Sequence, residues 1–233
     1  MAGMQRVRPD LAGLADLVFP RTCAGCGQPG VRLCPDCVAA LAGLCLTPGP
    51  MPVLPEPAPG GLPPVWTTAV YGGVLSRCLR AYKDGDRRDL RAVLRIPLAR
   101  ALACALAEAR SEHPGPLLAV PLPSSSAARR RRGDDPVADL VAAAAAANGI
   151  PTAAILRVRP VRDSVGLSAA QRRRNIAGAM RLAGRPRAGV ILVDDVLTSG
   201  ATMAEAVATV RAGGIRLAGC VTLAATPRLP PRG

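Results

Sequence analysis

Four branched or large apolar residues in a row, Val190-Ile191-Leu192-Val193, run straight into two carboxylates, Asp194 and Asp195. An apolar run without polar alternation predicts a strand buried on both faces, the mark of a parallel sheet. Val196 and Leu197 follow, then the small, hydroxyl-rich stretch Thr198-Ser199-Gly200-Ala201-Thr202. Beyond it Met203, Ala206, Val207 and Val210 fall at i, i+3, i+4 and i+7, which predicts a helix, and Gly213-Gly214 supplies its stop. Other strands are expected over 66–71, 117–120, 153–158 and 217–223. Helices are expected over 74–82, over 87–112 with Pro97 kinking or splitting it, and over 136–148 with Gly149 as the cap. Strands alternating with helices predict an α/β fold around a mostly parallel sheet.

Eight prolines and three glycines crowd residues 48–64. That composition predicts a stiff, extended linker and a domain boundary. The expected organisation is a small module over 1–47, the linker over 48–64, an α/β domain over 65–226 and a tail over 227–233.

The end of the 190–193 strand is where chemistry concentrates. Asp194 and Asp195 can accept hydrogen bonds from vicinal hydroxyls or hold Mg²⁺ through water. Backbone N–H groups of residues 198 to 202 can point at a phosphate, reinforced by the positive end of the following helix. The competing readings are two solvated acids at a strand end and the second acidic strand of a P-loop ATPase. A P-loop needs a glycine-rich loop ending in Lys and Ser or Thr. The only lysine, Lys83, is followed by Asp84 and lacks those glycines, so that reading is excluded. Residues 121–126, Pro-Leu-Pro-Ser-Ser-Ser, sit at the end of another expected strand, ahead of Arg129 to Arg132 and Gly133. Serine hydroxyls and guanidinium groups there suit a pyrophosphate, the alternative being a solvated arginine run at a helix start. The arginine-rich segment 160–178, with Ser168 as a plausible N-cap, is a candidate lid over a polyanionic ligand.

Cys23-Ala24-Gly25-Cys26 and Cys34-Pro35-Asp36-Cys37 are two C-x₂-C units seven residues apart. Four thiolates at this spacing satisfy tetrahedral Zn²⁺ and close its shell, so Cys23, Cys26, Cys34 and Cys37 predict a structural zinc knuckle. Leu14, Leu17, Val18 and Phe19 are expected to pack beside it, and Cys45, Cys78, Cys104 and Cys220 read as small core residues.

Composition narrows the partners. The chain has 233 residues, is 49% hydrophobic and carries a net charge of +14, with one lysine among 30 basic residues. Such a surface favours polyanions, nucleic acid or phosphorylated small molecules alike. Only Phe19, Trp66, Tyr71 and Tyr82 are aromatic, which weakens a self-sufficient reader of single strands. Charges within the first twenty residues interrupt any signal-peptide core, and the 142–147 alanine run is too short to span a bilayer, so a cytoplasmic protein without a membrane span is expected. His113 has no histidine partner and reads as a helix C-terminal residue.

Residues 190–202 resemble the 5-phosphoribosyl-1-pyrophosphate (PRPP) signature of type I phosphoribosyltransferases at every place of its pattern. More of the chain resembles the ComF family, phosphoribosyltransferase-like proteins linked to DNA uptake in competence. The likeness rests on Leu17-Val18-Phe19-Pro20 before the knuckle, the four cysteines and Lys83 after an aromatic residue. It continues through Val120-Pro121-Leu122-Pro123 with its arginines and Gly133, Gln171 to Arg174-Asn175 and Gly178, and the PRPP motif. Gly133-Asp134-Asp135-Pro136 departs from the Phe-Asn-Gln that many members carry after the glycine. The resemblance implies a type I phosphoribosyltransferase-like twisted parallel sheet flanked by helices, with an N-terminal zinc module. It implies that Asp194 and Asp195 face the ribose and that Thr198, Ser199, Gly200, Ala201 and Thr202 grip its 5′-phosphate. Lys83, Ser124, Arg129, Arg131 and Arg174 would complete the substrate contacts, with Mg²⁺ accompanying PRPP. Three functions fit: a transferase releasing pyrophosphate, a non-catalytic PRPP or nucleotide sensor that binds single-stranded DNA beside other DNA-uptake proteins, and a zinc-stapled scaffold.

Overall fold

The computed structural model describes residues 22–112, 114–123, 134–158 and 178–226. Expectations for Leu14, Leu17, Val18 and Phe19, for His113, for the 124–133 loop, for most of the 160–178 segment and for the tail lie outside the described residues.

Helix α1 (Pro35–Gly43) precedes β1 (Met51–Val53), β2 (Val65–Val70) and α2 (Gly73–Asp84). A 3₁₀ turn (Arg88–Leu90) leads into α3 (Arg91–Glu112), β3 (Leu117–Pro121) and α4 (Pro136–Ala146). Then come β4 (Leu156–Val158), β5 (Met180–Leu182), β6 (Gly189–Leu197), α5 (Ala201–Ala212) and β7 (Leu217–Ala225). The main sheet has the order β1-β2-β7-β6-β3, and β4 with β5 forms a separate antiparallel pair. β2, β7, β6 and β3 are parallel, whereas β1 runs antiparallel to β2. The expected α/β class is therefore what the chain forms.

Period-two alternation of β6 divides the core. Ile191 and Val193 pack among α2, α3 and α4, with Tyr82, Leu94, Leu98, Leu102 and Leu140. Val190 and Leu192 pack on the opposite face with Met203, Val207 and Val210 of α5. With few aromatics, small contacts do the filling, as the alanines of α3 (Ala101, Ala105, Ala109) and α4 (Ala144, Ala145) are all buried.

Three elements differ from the sequence reading. β6 does not end at the acids but runs to Leu197, because Val196 and Leu197 pair with the equally long end of β7 at Ala224 and Ala225. α3 runs on through Pro97 without ending there. The carbonyl of Pro97 accepts a 2.6 Å hydrogen bond from Thr68 Oγ1, which ties the helix to β2. Within the proline-rich stretch, Met51–Val53 forms the sheet's edge strand against Val65, Trp66 and Thr67. Just before it, Leu46 N–H donates to the Thr68 carbonyl and Val70 N–H to the Leu44 carbonyl. One edge thus runs from 44 to 53, with the Thr47–Pro50 excursion between its two paired pieces. Among the described residues no helix is long and apolar enough to cross a membrane.

Candidate functional site

The acidic pair stands in β6 with its two carboxylates turned to opposite faces of the sheet, as alternation requires. Asp195 faces the helices. Its Oδ2 lies 2.7 Å from Lys83 Nζ at the end of α2, with the carboxylate side chain 7% exposed and the lysine 30%. Asp194 lines a small recess of about 20 Å³ with Thr198, Gly200, Ala201, Thr202 and Thr222. The Asp195 N–H donates to Asp194 Oδ1 at 2.9 Å, which fixes the first carboxylate against the backbone of the second.

The loop that follows is shaped by Gly200, which has φ +71° and precedes the first residue of α5. A side chain at this left-handed position would be strained, and a Cβ there would also stand 2.8 Å from Leu62 and 2.9 Å from Pro55. The proline-rich stretch therefore packs directly on the loop. Opening α5 at Ala201 leaves its first N–H groups without intrahelical acceptors, beside the recess that Asp194 lines. Thr222, register partner of Asp194 on β7, is fully buried and its Oγ1 has no hydrogen-bond partner among the described residues. The recess therefore offers amide donors, hydroxyls and one carboxylate, a donor set suited to an anion bearing hydroxyls.

Burial pushes the Asp194 carboxyl well above the ordinary carboxylate range, to about 8, and the negative charge of Asp195 pushes the same way. The folded state therefore holds this proton more tightly than the unfolded chain, whose Asp titrates near 3.8. Its contribution to stability is present below that value and is lost as the pH climbs towards about 8. Without added divalent cation, the melting temperature is expected to fall across this window and Asp194→Asn to flatten the fall; identical profiles in a pH series of thermal melts would contradict the assignment.

The four cysteines come together as the spacing predicts. Their Sγ atoms all lie within 4.8 Å of one another, with Cys23–Cys34 at 3.7 Å and Cys26–Cys34 at 3.6 Å. A tetrahedron with metal–sulfur bonds of about 2.3 Å has edges of about 3.8 Å, so the cluster already has the dimensions of a four-thiolate site. The Cys34 N–H donates to Cys23 Sγ at 3.3 Å. Burial opposes a thiolate at Cys23, but the amides of Cys34, Cys26 and Gly25 outweigh it and bring the thiol down to about 6. The cluster can hold a metal ion. It is fastened to the body of the protein by arginines: Arg77 Nε donates to the Gly25 carbonyl, and Arg87 donates to the carbonyls of Thr22 at 2.7 Å and Arg32 at 3.3 Å. Arg87 is itself clamped by both carboxylate oxygens of Asp89 at 2.9 Å.

Asp134 and Asp135 have structural partners. Asp134 pairs with Arg88, which also lies over the Tyr82 ring, and Asp135 caps α4 by accepting from the Ala138 N–H at 3.3 Å. Tyr82, next to Lys83, donates to Asp139 Oδ2 at 3.0 Å. The entry to α4 and the end of α2 are thereby locked together. The structure thus brings Lys83 to Asp195, and Asp194 to the 198–202 loop. Ser124, Arg129, Arg131 and Arg174 lie outside the described residues. Thr222 is absent from the sequence reading. Nothing in a lone threonine inside an apolar run announces an unpartnered hydroxyl. The knuckle sequence suggests Gly25 as a left-handed glycine, whereas it is Gly27 that has the positive φ, at +85°. A Cβ at Gly25 would instead collide with Cys37 Sγ.

No protein-family profile matches the chain, and no curated protein does. Among solved structures, the chain is similar to orotate phosphoribosyltransferase from Aeropyrum pernix, with 16% identity and a TM-score of 0.35 over 81% of this chain and 79% of that one. It is similar to adenine phosphoribosyltransferase from Thermoanaerobacter pseudethanolicus, with 14% identity and a TM-score of 0.33 over 81% and 87% of the two chains. For adenine phosphoribosyltransferase from Leishmania tarentolae the values are 13% and 0.34, over 76% and 83%.

Proposed function

We propose that the chain binds PRPP at the C-terminal end of β6 and acts as a phosphoribosyltransferase-like protein of the ComF type. The observation that supports this most is the placement of residues 194–202. A carboxylate, a left-handed glycine and a helix N-terminus converge on one recess at the carboxyl end of a parallel strand, where open α/β sheets bind ligands. In this reading the amides and hydroxyls of residues 198–202 hold the 5′-phosphate and Asp194 meets the ribose hydroxyls. Asp195 shapes the floor through its pairing with Lys83 rather than by touching the sugar first. Ser124, Arg129, Arg131 and Arg174 receive the pyrophosphate.

Mg²⁺ fits this donor set, because Asp194 offers an oxygen ligand at the recess and a cation there would favour the ionised form of a carboxyl that burial otherwise keeps protonated. When bound there, it would screen the charge of the pyrophosphate. Displacement at the anomeric carbon asks no side-chain nucleophile of the protein, so positioning and charge neutralisation carry the work. The family resemblance adds a role in DNA uptake, which the +14 charge is compatible with.

Calorimetric titration with PRPP and Mg²⁺ tests the site. Wild-type protein is expected to bind, and Asp194→Asn/Asp195→Asn to lose binding at least tenfold while keeping its fold. Equal affinity in the two proteins would remove the ribose role. Release of pyrophosphate on adding candidate acceptors then separates a transferase from a sensor.

A further inference from the structure

Lys83 is the only lysine of the chain and stands at the end of α2, where its Nζ meets Asp195 Oδ2 at 2.7 Å. A long, rotamer-rich side chain meets a fixed partner only as well as its own backbone is placed. Two sets of contacts place this one. From α4, Asp139 accepts from the Tyr82 hydroxyl. From the cysteine knuckle, the contact runs through Arg87. Its N–H donates to the Ala81 carbonyl at 3.1 Å, one of the four that α2 leaves open at its end. Its guanidinium reaches the carbonyls of Thr22 and Arg32. The Arg32 carbonyl also accepts from the Ala24 N–H at 3.1 Å, inside the first C-x₂-C unit. Asp89 holds the guanidinium by both oxygens and lies 3.4 Å from Arg32 Nε.

Between Lys83 and Arg87 the backbone is strained. Asp86 has φ +53°, a left-handed position uncommon for a residue with a side chain, and such a conformation persists only where its surroundings hold it. Arg87 supplies a hold directly after the strained residue. A planar guanidinium suits the task, since its five N–H donors can serve two carbonyls and a carboxylate at once. Mere fastening of the small module is already supplied by Arg77, whose Nε donates to the Gly25 carbonyl. We propose that Arg87 is a positioning residue for the Lys83–Asp195 pair, and that the state of the cysteine cluster reaches the ligand site through it. The linkage stands on these contacts. It rests on the phosphoribosyl reading only for the ligand that the pair serves.

A single lysine makes the test direct, because protein grown on isotope-labelled lysine gives one lysine side-chain signal in NMR. Asp195→Asn marks its unpaired position. In zinc-loaded protein without PRPP, Arg87→Met is expected to shift the signal from its wild-type position towards that mark. A chelator added to the wild-type protein should do the same. With PRPP and Mg²⁺, calorimetry should show Arg87→Met weakening binding about fivefold, the low end of ordinary coupling between sites. The same substitution should add nothing in a Lys83→Met background, whereas a general loss of stability would weaken both proteins alike. Coupling is reciprocal, so saturating PRPP should strengthen zinc retention against a chelator in the wild-type protein and not in Arg87→Met. An unmoved lysine signal in Arg87→Met, or a weakening undiminished in the Lys83→Met background, would overturn the proposal. If Arg87→Met fails to fold, Asp89→Asn, which keeps the volume and loosens the clamp, replaces it with a smaller shift in the same direction. Wild-type protein that does not bind PRPP would sink the phosphoribosyl reading instead, and the lysine signal would still decide the linkage.

Discussion

Stripping metal from the Cys23–Cys26–Cys34–Cys37 cluster is expected to unfold residues 22–43 and to loosen the first turns of α2. A structural zinc in so small a unit contributes on the order of 10 kcal/mol to its folding, far more than its own apolar contacts can supply. The loss should not stop at the knuckle. Cys23, Cys34 and Cys37 belong to the same buried cluster as Val74, Leu75 and Cys78 of α2, and Arg77 and Arg87 hold knuckle carbonyls. Hydrogen exchange with and without a strong chelator reads this directly. Protection should vanish over 22–43, decline over 73–80 and persist in β3, β6 and β7. Unchanged exchange at 22–43 after complete metal removal would show that the cluster needs no ion to fold.

The second large effect is expected from Lys83→Met. Asp195 is buried at the β6 end, and removing its cation leaves a carboxylate in a low-dielectric site. Breaking a buried pair in this way costs about 3 kcal/mol or more, and the solvent contact that Lys83 retains argues for the lower end. Replacing both partners, Lys83→Met with Asp195→Leu, should recover most of that loss, since a buried pair exchanged for apolar groups is often nearly neutral. A double-mutant cycle by denaturant unfolding measures the coupling. Additive effects would mean that the pair contributes nothing to stability, and a role for Lys83 would then have to be sought in ligand binding alone.

The sheet was largely legible because its strands are uninterrupted apolar runs and its helices carry clear stops. Val190 to Val193 could be little else than a doubly buried strand. That Asp194 and Asp195 face opposite ways follows from period two once they lie inside the strand. Their place inside it depended on β7 being long enough to pair with Val196 and Leu197. The edge strand was hidden for a different reason. Pro52 and its proline neighbours argue against a central strand, yet an edge strand of three residues tolerates one proline. Pro97 misleads in the same way, because a helix packed along one whole side on a sheet outlasts one missing hydrogen bond. The contact between Lys83 and Asp195, 112 residues apart, and the buried hydroxyls of Thr67 and Thr222, unpartnered among the described residues, carry no local signal. They are products of register, and register is set only when the sheet assembles.

The borders of the main sheet have a bearing on the behaviour of the protein in concentrated solution. At one border stands β1, three residues long, with an exposed proline at its centre that has no N–H to offer. At the other, Ala119 of β3 is already engaged on its outer side, where its N–H donates to the Pro151 carbonyl and its carbonyl accepts from the Ala153 N–H. A neighbouring copy seeking to extend the sheet would find a short, interrupted template on one side and an occupied one on the other. Strand-to-strand aggregation is thus guarded against at both ends by the backbone itself, which matters in a protein whose central strands are so apolar.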